Sequence, residues 1–349
     1  MSENDAHQTL HRFIIGNSQN MSEIESDSID LVVTSPPYPM IEMWDETFYA
    51  LNSDIEEMMR RDDATGAHDM MHGELGSAWA EVERVLKDGA FACVNMGDAT
   101  RTVGGRFQMF PNHARVTERF RKLGFFSLPS IIWRKPTNAP NKFLGSGMLP
   151  PGAYVTLEHE HILIFRKGEK RQFLSNEQKA VRSESAYFWE ERNLWFSDVW
   201  TDLRGVSQNL NRANVRERSG AFPFELPYRL INMYSAKHDV VLDPFLGTGT
   251  TTLAAMASVR NSIGYEMDGT LLEVIRQRLN GFESMANEFI GRRIEAHKEF
   301  VADRDCKFVN RPHGFRCTSV QETDIRFNRL DSIDAANSTD VKAAYSELP

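Results

Sequence analysis

Apolar residues in this chain gather in short blocks of two kinds. The run Ile29-Asp30-Leu31-Val32-Val33-Thr34 is compact and β-branched, which predicts a strand buried in a parallel sheet. Runs at 90–95, 240–242 and 262–266 are of the same type, and 12–16, 127–133 and 161–166 read as further strands. Between them the apolar positions follow helical spacing. Trp79, Val82, Val85 and Leu86 share one face of a helix over 77–86, with a stop at Lys87-Asp88-Gly89. Helices are also predicted over 112–123, 222–234 and 250–257, and in a segment running to about residue 288. The acidic, methionine-rich stretch 43–74 reads as helix and loop, and 136–152, rich in Pro, Gly and Asn, as a loop or arm. Residues 170–218 are polar and spotted with aromatics, like an insertion. From 331 onward the residues are small and polar, which predicts a loosely ordered tail. Strands alternating with helices give the fold class: α/β, with a doubly wound, mostly parallel sheet.

Composition narrows the class. The 349 residues suffice for one large α/β domain with an elaboration, and 41% hydrophobic with 26% charged residues allows a packed core. No apolar run approaches the roughly 20 residues a membrane helix needs. Residues 1–11 are polar and lack an apolar signal core, so no export is expected and a cytoplasmic location is the expectation. The cysteines Cys93, Cys306 and Cys317 form a sparse, odd set, which points to a reducing compartment. Cys306 and Cys317 flank His313 without a paired Cys-x-x-Cys, so no metal site is expected there. His159 and His161 alternate with glutamates and read as a solvated or satisfied strand face. The net charge of −9 argues weakly against nucleic acid, yet phosphate binding needs only a local basic patch. Two groups qualify: Arg115, Arg119, Arg121, Lys122, Arg134, Lys135 and Lys142, then Arg204, Arg212, Arg216 and Arg218. Arg134, Lys135, Arg204, Arg212 and Arg216 are the candidate phosphate contacts. Trp189, Trp195 and Trp200 could meet bases or pack a small core.

Two loops carry candidate chemistry. Prolines cannot continue a central strand, so Thr34-Ser35-Pro36-Pro37-Tyr38 must be a loop at the carboxyl end of the 29–34 strand. That edge is where ligands bind in open α/β sheets. Alone, Ser-Pro-Pro-Tyr also fits a rigid turn or a proline-rich ligand. The second loop, Asp243-Pro244-Phe245-Leu246-Gly247-Thr248-Gly249-Thr250, joins a strand to a helix start. Gly247 and Gly249 allow close backbone approach, and Glu266 ends the next strand, where an acid commonly takes ribose hydroxyls. The loop has no Gly-Lys-Ser or Gly-Lys-Thr, and Asp243 would repel a phosphate. A cofactor with a cationic amino-acid end, such as S-adenosylmethionine, suits that carboxylate. The bland alternative is a pair of glycines capping a turn. Asn95 and Asp98, at the end of the 90–95 strand, fit either a pocket wall or a turn.

Together the two loops resemble the motifs of the β-group DNA amino-methyltransferases, S-adenosylmethionine enzymes acting on cytosine N4 or adenine N6. Their catalytic motif is Ser, Asp or Asn, then Pro-Pro, then an aromatic residue. Their cofactor motif is Asp-Pro-Phe-x-Gly-x-Gly-Thr. The resemblance runs from about residue 14 to 279. It includes Val85-Leu86-Lys87-Asp88-Gly89-Ala90, the Glu158 to Lys167 segment and Phe222-Pro223. Arg218-Ser219-Gly220 stands where the family usually has His-Pro-Ala. The catalytic motif precedes the cofactor motif by about 200 residues, the permuted order that defines the β group.

The resemblance implies a Rossmann-like methyltransferase sheet with a smaller target-recognition region. Residues 12–169 would form the catalytic half, 170–218 the recognition region, 219–290 the cofactor half and 291–349 a C-terminal extension. Ser35, Pro36, Pro37 and Tyr38 are the expected catalytic residues. Asp243, Pro244, Phe245, Gly247, Gly249, Thr250, Glu266, Phe222 and Pro223 would hold S-adenosylmethionine. The implied partners are double-stranded DNA and a cognate restriction endonuclease, the chain acting as monomer or homodimer.

An exocyclic amine is a poor nucleophile because its lone pair is delocalised into the ring. The Ser35 hydroxyl and the Pro36 carbonyl would accept its two N–H bonds, while Tyr38 stacks on the flipped base. No cysteine follows a proline, which disfavours methylation of cytosine carbon 5. Serine at the first position resembles the N4-cytosine members, with N6-adenine as the alternative. An RNA or protein methyltransferase, or a DNA-binding module without catalysis, fits the motifs and their order less well.

Overall fold

The computed structural model of the chain describes residues 8–135, 144–204, 222–335 and 339–348. In chain order the strands are β1 (Gln8–Ile15), β2 (Ile29–Thr34), β3 (Leu86–Met96), β4 (Ala99–Val103), β5 (Arg106–Phe110), β6 (Phe126–Arg134), β7 (Leu144–Gly145), β8 (Ala153–Tyr154) and β9 (His159–Arg166). They continue as β10 (Val199–Trp200), β11 (Val240–Asp243), β12 (Asn261–Glu266), β13 (Phe308–Val309), β14 (Arg316–Cys317), β15 (Asn328–Asp334) and β16 (Asp340–Glu347). The helices are α1 (Asp45–Leu51), α2 (Ser53–Arg60), α3 (Ala64–Val85), α4 (Asn112–Lys122), α5 (Asn176–Glu184), α6 (Trp189–Trp195), α7 (Glu225–Tyr234), α8 (Thr250–Ala257), α9 (Leu271–Leu279) and α10 (Phe282–Val301).

Ten strands form one sheet in the order β10-β6-β9-β3-β2-β11-β12-β1-β16-β15. Strands β3, β2, β11, β12 and β1 run parallel, and β9 and β16 flank them antiparallel. The order puts the early strand β2 directly beside the late strand β11, with Leu31 opposite Val241 and Val32 opposite Leu242. Helices cover both faces, as the expected doubly wound fold requires. One face packs Leu31, Val33, Cys93, Trp133, Ile162 and Val241 against α7, α8 and α10. The other packs Val32, Val94, Phe165 and Leu242 against α1 to α4. Among the described residues, no helix is long and apolar enough to cross a membrane.

Several segments differ from the sequence expectation. Helix α3 spans 22 residues, not ten, and is capped by Asp63, whose side chain accepts the Gly66 N–H at 2.9 Å. Its interior glycines, Gly66, Gly73 and Gly76, hide it from a propensity reading. The helix does end at Val85, next to the expected 86, and β3 follows at once, running through Gly89 at φ 81° where the register against β2 shifts. The segment expected as one helix to 288 is two, parted at Gly281 with φ 74°. The tail expected to be loose instead forms β15 and β16, which extend the sheet beside β1. Val341, Ala343 and Tyr345 alternate inward there, a period of two that small residues disguise.

Residues 170–204 hold α5, α6 and β10, and β10 joins the sheet edge at β6. Trp195 and Trp200 are buried in the main core, so they pack rather than face a ligand, while Trp189 is half exposed and stacks on Phe300. Residues 205–218 of this stretch, with Arg212, Arg216 and Arg218, lie outside the described residues. A third cluster, Phe188, Ile290, Phe315, Cys317, Ile325 and Phe327, ties α6 to the C-terminal segment.

Candidate active site

Side chains alternate faces along a strand, so the apolar pattern fixes which polar residues emerge together. On the face that carries Leu31 and Val33, the next residue of that parity beyond β2 is Ser35. The same rule gives Asp243 after Val241, Asn95 after Cys93, and Lys135 after Ile131 and Trp133. On antiparallel β9 it gives Glu160 before Ile162 and Ile164. Glu266 shares that face through the pairing of Asp243 with Gly264. The polar row therefore lies at one end of the sheet, above one core.

A cavity of about 280 Å³ opens over this row. Its lining includes Ser35, Pro36 and Tyr38 from the first loop and Asp243, Phe245, Gly247 and Thr250 from the second. Phe222, Lys135, Glu160 and Trp44 are also among the residues of its walls. The structure thus brings the two loops to one cavity. Pro37, Pro244, Pro223, Gly249 and Glu266 stand beside its lining residues in the chain or the sheet without lining it themselves.

Asp243 is buried and each carboxylate oxygen takes a donor. Thr34 Oγ1 and Thr251 Oγ1 donate at 2.6 Å, and the Phe245 N–H at 3.1 Å. Burial nevertheless wins and raises the carboxyl to about 6. Glu266 accepts the Gly247 N–H and the Asp268 N–H, each at 2.8 Å, and burial holds its carboxyl above the ordinary range. Gly247 and Gly249 adopt φ 54° and 78°, which explains glycine at both positions. Arg278, from α9, was not foreseen. Its Nη1 donates to the Thr248 carbonyl at 2.6 Å, to Thr248 Oγ1 at 2.7 Å and to Thr250 Oγ1 at 2.9 Å, pinning the glycine turn.

On the other loop, Tyr38 is fixed at its hydroxyl. Ser35 Oγ lies 2.9 Å away, Asn95 Nδ2 2.8 Å and Glu160 Oε2 3.0 Å. Burial, then the Glu160 charge, holds the phenol well above its usual range. The ring lies on Gly97, where a Cβ would sit 2.7 Å from Tyr38 Cε2. Asn95 therefore holds two residues of the cavity wall, Tyr38 and Glu160, without lining the cavity itself. Asp98 turns away and accepts from His113. His161 joins that pair, but its ring stacks on His113 at 4.0 Å. An imidazole binds metal in its own plane, so stacked rings do not aim at one ion. Arg115, Arg119 and Lys122 are committed to Asp69, the Gly76 carbonyl and Glu118, so they form no free basic patch. Arg134 and Lys135 pair with Glu158 and Glu160 at the rim, and Arg204 is exposed. His313 accepts the Phe327 N–H, and Cys317 is buried.

The DNA methylase family model matches residues 29–277, which contain both loops. The chain belongs to that family. This methylase is 54% identical over 341 residues to the type II methyltransferase M.MthZI of Methanothermobacter thermautotrophicus, covering 97% of this chain and 96% of that one. It is 50% identical over 282 residues to the type II methyltransferase M.MjaI of Methanocaldococcus jannaschii, covering 78% and 91%. Among solved structures, the putative DNA modification methylase TTHA0409 of Thermus thermophilus, complexed with S-adenosyl-L-methionine, matches with TM-score 0.59 and 31% identity, covering 77% of this chain and 92% of that one. The PvuII cytosine-N4-specific DNA methyltransferase matches in fold, with TM-score 0.53 at 19% identity over 80% and 92%. With its Ser-Pro-Pro-Tyr loop ahead of its glycine loop, the methylase is a β-group amino-methyltransferase.

The sequence reading of the methylase missed Glu160, Arg278 and the wall at Trp44. For Glu160 a signal existed: a carboxylate on the buried face of a strand whose next same-face residues are Ile162 and Ile164.

Proposed function

We propose that the chain methylates the exocyclic N4 of a cytosine flipped out of duplex DNA, as the modification enzyme of a type II restriction–modification pair. The observation that carries the reading is Ser35 at the wall of a cavity that Asp243, from the neighbouring strand, also lines. S-adenosylmethionine is the cofactor, and when bound it supplies a methyl group on a sulfonium. The cavity fits it: a buried carboxylate raised to about 6 has no cationic partner among the described residues, and a glycine turn stands beside it. Asp243 would face the ammonium, and Phe222 and Phe245 would enclose the apolar parts. Pro223 would stand with Phe222 over the methionine part, and Glu266, Thr250 and the chain at Pro244 and Gly249 would shape the ribose end.

In this reading Ser35 Oγ and the Pro36 carbonyl accept the two amine N–H bonds and localise the nitrogen lone pair. Pro36 and Pro37 hold that carbonyl still. The Tyr38 ring offers a platform for the base. Serine at the first motif position supports cytosine over adenine. Residues 12–169 are the base-side half, 219–290 the cofactor half and 170–218 the reader of the target sequence, with 291–349 bracing the sheet edge. Arg134, Lys135 and Arg204, with Arg212 and Arg216, are proposed to meet phosphates. The type II names of the archaeal relatives support the pairing with an endonuclease.

The test is direct. Incubate the protein with labelled S-adenosylmethionine and unmethylated genomic DNA, digest to nucleosides and identify the product. N4-methylcytosine is expected. N6-methyladenine would overturn the cytosine assignment, and unlabelled DNA would overturn the function.

A further inference from the structure

We propose that Glu160 is a positioning and proton-accepting residue, the end of a hydrogen-bond relay Ser35–Tyr38–Glu160 that turns Ser35 Oγ into an acceptor for the target amine. The proposal rests on the reading of Ser35 as that acceptor.

The direction of each bond follows from the chemistry of its partners. A carboxylate only accepts, and it is approached by Lys135 Nζ at 2.8 Å, Asn95 Nδ2 at 2.6 Å and the Tyr38 hydroxyl at 3.0 Å. Tyr38 must therefore donate to Glu160. The opposite orientation would set a bare phenol oxygen against a carboxylate oxygen. The Asn95 amide is fixed in the same way: turned over, its oxygen would face Glu160 Oε2. Its Nδ2 accordingly also reaches the Tyr38 oxygen at 2.8 Å. Having given its proton to Glu160, the Tyr38 oxygen can only accept from Ser35 Oγ at 2.9 Å. Ser35 is then a committed donor on one side, and its lone pairs are left for the cavity.

The same chain can carry the proton that methylation releases. The amine nitrogen bonds to the methyl carbon as the carbon–sulfur bond breaks, its electron pair going to sulfur. The nitrogen is left positive, with one proton to lose. That proton passes to Ser35 Oγ, the serine proton to the Tyr38 oxygen and the tyrosine proton to Glu160 Oε2. Serine and tyrosine end unchanged and glutamate ends protonated. The phenol never ionises, in keeping with its raised pKa. Lys135 is partly exposed and links the other carboxylate oxygen to solvent, where the proton leaves.

Single-turnover methylation of unmethylated genomic DNA by the full chain tests this, using Glu160→Gln, Tyr38→Phe, their double variant, Glu160→Ala and Ser35→Ala. Cutting the relay at either point should slow transfer by roughly 10²-fold, the usual size of a lost proton-transfer partner. The double variant should be no slower than the slower single one, because a broken chain cannot break again. Affinity for S-adenosylmethionine should survive in each. Added formate should restore Glu160→Ala in proportion to its concentration, which a merely structural role would not allow. Losses that multiply in the double variant, or lost cofactor binding in Glu160→Gln, would overturn the relay. If Ser35→Ala is inactive while Glu160→Gln and Tyr38→Phe stay within about threefold of wild type, the relay falls and the loop reading stands. If Ser35→Ala itself keeps the wild-type rate, the loop reading falls.

Discussion

Thr34 Oγ1 donates to Asp243 Oδ1 at 2.6 Å, joining residues 209 positions apart in the chain. Thr34 is the last residue of the strand that feeds the Ser-Pro-Pro-Tyr loop, and Asp243 is the last of the strand that feeds the glycine loop. One hydrogen bond thus sets the spacing between the proposed base side and the proposed cofactor side. Because β2 and β11 are neighbours, the permuted chain order costs the site nothing in geometry.

That bond bears on a pH prediction. Burial raises Asp243 to about 6 in the unliganded protein. In the proposed reading the cofactor's ammonium lies beside it and favours the ionised form, so binding would expel a proton. Affinity for S-adenosylmethionine should therefore rise with pH through about 6 and level off above it, the difference between about pH 5 and pH 7 being roughly tenfold. Titration calorimetry over that range checks it. Thr34→Val removes a donor to the carboxylate and should move the midpoint upward, and Asp243→Asn should abolish the dependence. The sign for stability is opposite. A folded pKa above the unfolded one means that this group's contribution falls as pH rises from about 4 to 6.

Gly97 offers a geometric test. A Cβ there would lie 2.7 Å from Tyr38 Cε2 and 3.0 Å from Cδ2, so the ring must move. Gly97→Ala should displace Tyr38 by a fraction of an ångström and slow transfer by roughly 10- to 100-fold, while cofactor affinity holds. A wild-type rate would mean that the ring position is not critical.

The part of the site that could be read from sequence is the part carried by contiguous residues. Ser35 to Tyr38 and Asp243 to Thr250 are each one loop after one buried strand, and their motifs name them. Glu160 and Asn95 meet Tyr38 only because antiparallel β9 lies beside β3, a pairing no local pattern specifies. Arg278 reaches the glycine turn from α9, 28 residues beyond Thr250. The limit in the fold was similar. Gly66, Gly73 and Gly76 masked α3, and Ala343 and Ala344 masked β16, because tertiary packing overrides weak propensity.

Arg278 should matter to the cofactor without touching it. Its guanidinium bonds Thr248 and Thr250, and burial lowers its pKa. Arg278→Met would free the turn at a cost of about 1–3 kcal/mol in local order. The expected result is roughly tenfold weaker binding of S-adenosylmethionine, seen mainly as a raised KM for that cofactor. Unchanged binding would show that the glycine turn holds its shape unaided.

His297 sets the last prediction, on stability. Its ring is buried, with Nδ1 2.7 Å from Glu190 Oε1 and Nε2 2.9 Å from the Arg316 carbonyl, so both nitrogens donate only when the ring is charged. Burial alone would lower its pKa, but Glu190 and the Arg316 carbonyl outweigh it and the net shift is upward. A raised folded pKa places the stabilisation below the unfolded value of about 6.5 and removes it as pH rises through the folded value. Hydrogen exchange at α6, α10 and β14 should therefore quicken as pH rises above about 6.5, after correction for intrinsic exchange. His297→Ala leaves Glu190 without that partner, and should cost about 2–3 kcal/mol near pH 6 and less at higher pH. An equal cost at both pH values would mean that the ring is held neutral and acts by packing alone.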